Sequence, residues 1–274
     1  MQALSSPLAM RLLWAFCIAV LGFLCVPILI IVVISFNATE YIQFPPRDWT
    51  IHWYVNYFTS RQWIEPTLLS VQVATVTMVL STVLGTLAAI GLVRGEFPGK
   101  RALEFFFISP MLVPTIVLAI GTYLLFANFR LVGRPMGLYL AHTVVATPLV
   151  IVIVSAALKT CDQSIELAAR SLGASYPRVL WHVTLPAIFP AVISSAAFAF
   201  LISFDEVVLA IFLGGPNATT LPKRMWESVR FETDPTLTAI SSILVLIPML
   251  ILIGVELMRR SFAGSPQRQA AETH

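Results

Sequence analysis

Two acids stand side by side in a strongly apolar stretch of this chain, Asp205 and Glu206 within Ser203-Phe204-Asp205-Glu206, inside the hydrophobic run 187–213. A charge at membrane depth costs at least roughly 2.5 kcal/mol on insertion scales, so an adjacent pair calls for a reason. Two kinds of role fit. The acids face a transport pathway, or they are structural, capping a neighbouring helix end, pairing with an arginine or contacting a partner subunit. Adjacent side chains on a helix point about 100° apart, so both need not face one cavity. Gln72, in the run 66–92, is a second pathway candidate, with an interhelical hydrogen bond as its competing role. Trp53 and Tyr54 are others, although such aromatics also settle at the membrane–water boundary for purely anchoring reasons. His142 stands alone in its apolar run and reads as a helix-packing donor.

A glycine-rich turn ending in lysine, Gly95-Glu96-Phe97-Pro98-Gly99-Lys100-Arg101, invites comparison with a phosphate-binding loop. The chemistry does not match. Three residues rather than four separate the glycines, no Ser or Thr follows the lysine to reach Mg²⁺, and no strand precedes the turn. ATP binding by this route is excluded. No HExxH or nucleophile elbow points to an enzyme, and Cys17, Cys25 and Cys161 lack CxxC or zinc spacing.

These residues must be positioned by an oily scaffold. Of 274 residues 58% are hydrophobic and 11% charged, against roughly 25% charged in a soluble domain, and mean hydropathy is +0.86. The chain is therefore an integral membrane protein. Its net charge of +3 is scattered over loops and leaves no nucleic-acid footprint. Apolar runs at 12–34, 66–92, 103–126, 135–158, 187–213 and 237–258 predict six transmembrane helices. The first covers about 34 Å at ~1.5 Å per residue, enough for the roughly 30 Å hydrocarbon core, and is expected to remain as an anchor. Ser81, Gly85 and Ala89 recur every four residues and predict a close helix–helix approach. Pro110 and Pro114 are expected to bend the third span. An even number of spans puts both termini on one side. Ten Lys and Arg residues fall on that side and seven on the other, a small positive-inside bias that places the termini in the cytoplasm.

Between the fourth and fifth runs lies a polar loop, 159–186. Ser164 can cap a helix Ile165–Leu172 and Gly173 can stop it; Tyr176–Val183 can form a second short helix that Pro186 interrupts. A helix-turn-helix of this size at a membrane surface suits docking to a partner protein.

Ala168-Ala169-Arg170-Ser171-Leu172-Gly173-Ala174, followed by Thr184-Leu185-Pro186, resembles the cytoplasmic "EAA" loop of type I ABC importer permeases. In that family the loop is the coupling helix that plugs into the ATPase subunit. The resemblance implies docking by Ile165, Glu166, Ala168, Ala169, Leu172, Gly173 and Ala174. The chain departs from the pattern at two places: Leu167 occupies the position of the usual glutamate, and Ser171 stands where aspartate is common. Ser35-Phe36-Asn37, Pro45-Pro46, Trp53-Tyr54 and Ser203-Phe204-Asp205-Glu206 resemble stretches of the polyamine-type permeases.

What the resemblance implies is an all-α, six-helix, MetI-like permease forming one transmembrane domain over 1–274, in the bacterial inner membrane. It implies half of a translocation pathway for a polyamine-like or other small amino-containing solute, a second permease subunit, an ATPase dimer and an external solute-binding protein. No cofactor is expected in this chain, since ATP and Mg²⁺ would sit on the ATPase. The competing class is a proton- or ion-coupled secondary transporter using Asp205 and Glu206. Such carriers commonly show paired internal repeats, and none is evident between the two halves here.

Overall fold

A computed structural model describes residues 7–39, 41, 43–231 and 234–263, with side chains placed over 10–250 of these. The described residues are almost wholly helical. In chain order the helices are α1 (Pro7–Ile34), α2 (His52–Thr59), α3 (Arg61–Arg94), α4 (Lys100–Leu112), α5 (Thr115–Asn128), α6 (Pro135–Thr160), α7 (Gln163–Ser171) and α8 (Tyr176–Val179). A π turn, Leu180–Thr184, leads into α9 (Leu185–Asp205), followed by α10 (Val208–Leu213), α11 (Leu221–Phe231) and α12 (Thr236–Ala263). They pack as two compact units, Met1–Ser60 with Ser228–His274, and Arg61–Glu227.

Among the described residues four helices are long and apolar enough to cross a membrane: Met10–Ile34, Arg61–Arg94, Pro135–Thr160 and Tyr176–Asp205. The expected third span, 103–126, is two helices, α4 and α5, bent by 105°. Neither its 13 nor its 14 residues reach across alone, since each is about 20 Å long. The break falls at Pro114 and not at Pro110, which sits inside α4. Pro114 has no N–H to donate and pushes the residue before it out of the helical region; Val113 is accordingly extended, at φ −83° and ψ 132°.

The fifth span also departs from expectation at both ends. Upstream, Pro186 does not interrupt the helix. The Leu185 N–H reaches back five residues to the Leu180 carbonyl, and this wider turn gives the following pyrrolidine ring room, so Tyr176–Asp205 runs on as one span. Downstream, 187–213 is not continuous: Glu206 is extended, at φ −75° and ψ 107°, and α10 starts afresh. The expected sixth span, 237–258, lies within α12, although its side chains beyond 250 fall outside the described residues.

In the Arg61–Glu227 unit, α3, α6 and α9 form the core. The stripe Ser81, Gly85, Ala89 is buried as its spacing predicts: Gly85 lies against Val150 of α6, and Ala89 shares a buried cluster with Ala146 and Val150 of α6 and Ala199 of α9. A second cluster joins Val73, Ala119, Leu138 and Ala141 to Leu209, Ala210 and Leu213, seating α10 between α5 and α6. In the other unit, α12 packs on α1 and α2. The exposed apolar side chains of α1, among them Phe16, Leu21 and Phe23, suit hydrocarbon rather than water.

Candidate functional site

The polar loop between α6 and α9 is a built structure, with its own caps and its own attachment. Asp162, not Ser164, caps α7: its Oδ1 accepts the Ser164 N–H at 2.8 Å. That bond holds the Asp162 carboxyl below the usual carboxylate range. The carboxylate wins the cap because it stands one residue before the helix with an ionised acceptor aimed at a first-turn donor. At the other end Gly173 adopts φ +88°, a left-handed conformation that glycine adopts without Cβ strain. The Ala174 N–H bonds to the Ala169 carbonyl at 3.1 Å and the Gly173 N–H to the Arg170 carbonyl at 2.9 Å, the paired bonds of a Schellman stop.

One face of α7 turns toward the body of its unit. Glu166 Oε1 accepts from Arg94 Nη2 at 3.0 Å and Nε at 3.2 Å, and from Thr184 Oγ1 at 3.0 Å. These three donors come from the last residue of α3 and the last residue of the π turn. A cleft of about 210 Å³ lies alongside, bordered by Arg94, Glu96, Lys100, Glu166, Leu167 and Arg170 among others. The opposite face is apolar and open. Ile165 is 58% exposed, Ala168 is exposed, and Leu172 is 90% exposed. Ala169 and Ala174 are half-buried, and Leu167, where the resemblance expects an acid, is 58% exposed beside the cleft. No residue of α7 is buried.

The two acids of the fifth span part company. Glu206 bends its carboxylate onto the next helix, accepting the Val208 N–H at 2.8 Å and the Leu209 N–H at 3.0 Å. Those two donors have no intrahelical partner, so Glu206 caps α10. Asp205, at the end of α9, is exposed and has no hydrogen-bond or ion-pair partner among the described residues. Two residues earlier, Ser203 ties α9 to α6: His142 Nδ1 lies 2.9 Å from Ser203 Oγ and 3.2 Å from its carbonyl oxygen. Gln72 is exposed on α3 beside buried Val73 and Ala74.

Trp53 and Tyr54 hold their own unit together. The Trp53 indole N–H donates to the Asn37 carbonyl at 2.8 Å. The Tyr54 hydroxyl is shared between Ser35 Oγ at 2.6 Å and Ser242 Oγ at 2.8 Å, linking the end of α1 to α12. Among the described residues no three His, Cys, Asp or Glu side chains converge to hold a metal ion.

The residues that sequence reasoning missed are Arg94 and Thr184. A basic residue closing an apolar run is a visible signal for Arg94, but nothing in the sequence links it to an acid 72 positions away.

Residues 81–263 match the family described as "Binding-protein-dependent transport system inner membrane component". The chain is 34% identical over 241 residues to the putrescine transport system permease protein PotI of Escherichia coli K12, covering 85% of each. It is 33% identical over 250 residues to the spermidine/putrescine transport system permease protein PotC of Haemophilus influenzae, covering 90% of this chain and 95% of that one. Its fold matches a chain of a bacterial ABC transporter involved in the import of the acidic polysaccharide alginate, with a TM-score of 0.69 at 17% identity, covering 90% of this chain and 96% of that one. A helical membrane chain with this loop, this fold and these relatives belongs to the binding-protein-dependent inner membrane components, the permease subunits of ABC importers.

Proposed function

We propose that this permease carries a polyamine, putrescine or a close amino-bearing analogue, and that α7 is its coupling helix. The observation that carries the coupling role is the two-sidedness of α7: its acid is spent on the chain's own Arg94 and Thr184, while Ile165, Ala168 and Leu172 face outward with nothing of this unit upon them. An apolar knob that exposed fits a groove on a partner protein. ATP and Mg²⁺ belong on that partner, an ATPase dimer, because the Gly95–Lys100 turn lacks the parts of a phosphate-binding loop. A second permease subunit completes the pathway, and an external solute-binding protein delivers the solute. The loop 159–186 and both termini then lie in the cytoplasm. Closure of the ATPase pushes α7, and the spans tilt between inward and outward access.

The polyamine assignment rests on the relatives and on the surplus acid near the outer end of α9, where exposed Asp205 is available to an ammonium group. The proton-coupled alternative asks Glu206 to titrate, yet its carboxylate is engaged with two backbone donors of α10. Uptake of labelled putrescine into vesicles bearing the assembled transporter tests the reading. ATP-dependent uptake that survives an uncoupler is expected; uptake that follows a proton gradient and ignores ATP would overturn it.

A further inference from the structure

We propose that Arg94, Glu166 and Thr184 form a positioning strut that makes α7 move as one body with the inner ends of α3 and α9. The inference rests on the reading of α7 as the coupling helix. Nothing on α7 is buried; it is joined to the chain by Cys161-Asp162 on one side and the glycine turn on the other, and otherwise packs on α8 and the π turn at the loop's far end. A helix held only by such links swings when pushed. The strut removes that freedom, because a single carboxylate oxygen gathers three donors from two different elements at 3.0 to 3.2 Å. Its ion pair is well enclosed, with 9% of the Arg94 side chain and 17% of the Glu166 side chain exposed, so solvent and salt screen it less than a surface pair. The elements it joins are the right ones for transmission. α3 and α9 pack on each other and on α6, so a load reaching Glu166 enters the three-helix core directly rather than through a flexible turn.

The roles on α7 are thereby divided by face. Apolar residues receive the partner, and the acid passes the displacement inward. Arg94, Glu166 and Thr184 touch no solute in this scheme; they act through the placement of α7.

The test uses the full transporter with ATPase subunits, carrying spin labels at Gly91→Cys on α3 and Ser171→Cys on α7 after Cys17, Cys25 and Cys161 are changed to serine. Gly91 is exposed with open space around it, and Ser171 is exposed. With the strut intact, one narrow label-to-label distance is expected, identical in nucleotide-free and ATP-trapped states. Glu166→Ala should broaden that distribution and let it shift with ATP, while ATPase recovery with the complex stays at the original level. Glu166→Gln, which keeps the acceptor oxygen, should fall between. A distance that changes with ATP in the unmodified strut, or stays fixed in Glu166→Ala, overturns the proposal. So does loss of ATPase recovery in Glu166→Ala alone, which would make Glu166 a docking residue. If the original chain recovers no ATPase, the coupling-helix reading fails and the strut with it. Should Glu166→Ala not assemble, Thr184→Val removes one arm and must still broaden the distribution.

Discussion

Gly85 of α3 and Val150 of α6 meet so closely that a Cβ built on Gly85 would lie 2.7 Å from both Cβ and Cγ1 of Val150. Without a water-driven hydrophobic effect between helices in lipid, such approach is what lets dispersion contacts and backbone packing hold the core. Gly85→Val is therefore expected to destabilise the permease by about 1–3 kcal/mol, the range for overpacking a tight interface. Thermal unfolding in detergent measures it, and Val150→Gly in the same chain, which removes both of the close atoms, should restore part of the loss. An unchanged midpoint would mean that α3 and α6 slide apart without cost.

Glu206 predicts a contrast between two substitutions. Glu206→Gln keeps an oxygen for the Val208 and Leu209 N–H groups and should leave stability nearly intact. Glu206→Ala leaves both donors bare and should cost about 0.5–2 kcal/mol, the range for losing a helix cap. Asp205→Asn, at an exposed site with no partner among the described residues, should not move the unfolding midpoint, but should lower putrescine-stimulated ATP hydrolysis. Equal effects of Asp205→Asn and Glu206→Gln on that stimulation would return both acids to the pathway.

The difference between these two acids shows what a sequence can and cannot carry. Their cost at membrane depth is legible from residue types, and so is the need for a structural or functional reason. That the helix stops at Asp205 is not, because no proline or glycine marks the break; Glu206 itself makes it by capping α10. Local signals served well where the cause is local. The Ser81, Gly85, Ala89 spacing fixes a buried stripe, and Gly173 fixes a stop. They served less well where two local rules compete. Pro186 ought to end a helix, yet a π turn one residue before it relieves the clash. Between two prolines four residues apart, only Pro114 breaks α4 from α5. Long-range pairs such as Arg94 with Glu166 leave no trace in spacing at all.

Asp162 makes the loop sensitive to acid. Its carboxyl is held below the ordinary value of 3.8 by the Ser164 N–H, so the folded form favours the carboxylate. A depressed folded pKa contributes stability above the unfolded value and loses it as pH falls through the folded one. The first turn of α7 should thus stay formed at neutral pH and fray only below about pH 4. Amide exchange at Ser164 reads this directly. Asp162→Ala should speed that exchange at neutral pH, whereas Ser164→Ala, which keeps the N–H but loses the second, hydroxyl bond to the carboxylate, should leave exchange slow at neutral pH and bring its acid loss closer to the ordinary carboxylate range; a larger effect from Ser164→Ala at neutral pH would reinstate the hydroxyl as the cap.

Leu172 separates docking from folding more cleanly than any other position on the loop. At 90% exposure it contributes almost no buried area, so Leu172→Ser should shift stability by no more than about 0.5 kcal/mol. Its outward apolar side chain nonetheless forms, with Ile165 and Ala168, the face left open beyond the Glu166 anchor. Truncating an apolar anchor at the centre of an interface commonly costs about 2 kcal/mol or more, which is over tenfold in affinity. Leu172→Ser should therefore lose most of the ATPase subunits on purification while its own unfolding midpoint is preserved. Asp162→Ala, which frays the first turn, should lose them only in part. Retention of the ATPase by Leu172→Ser would move the docking surface off this face of α7.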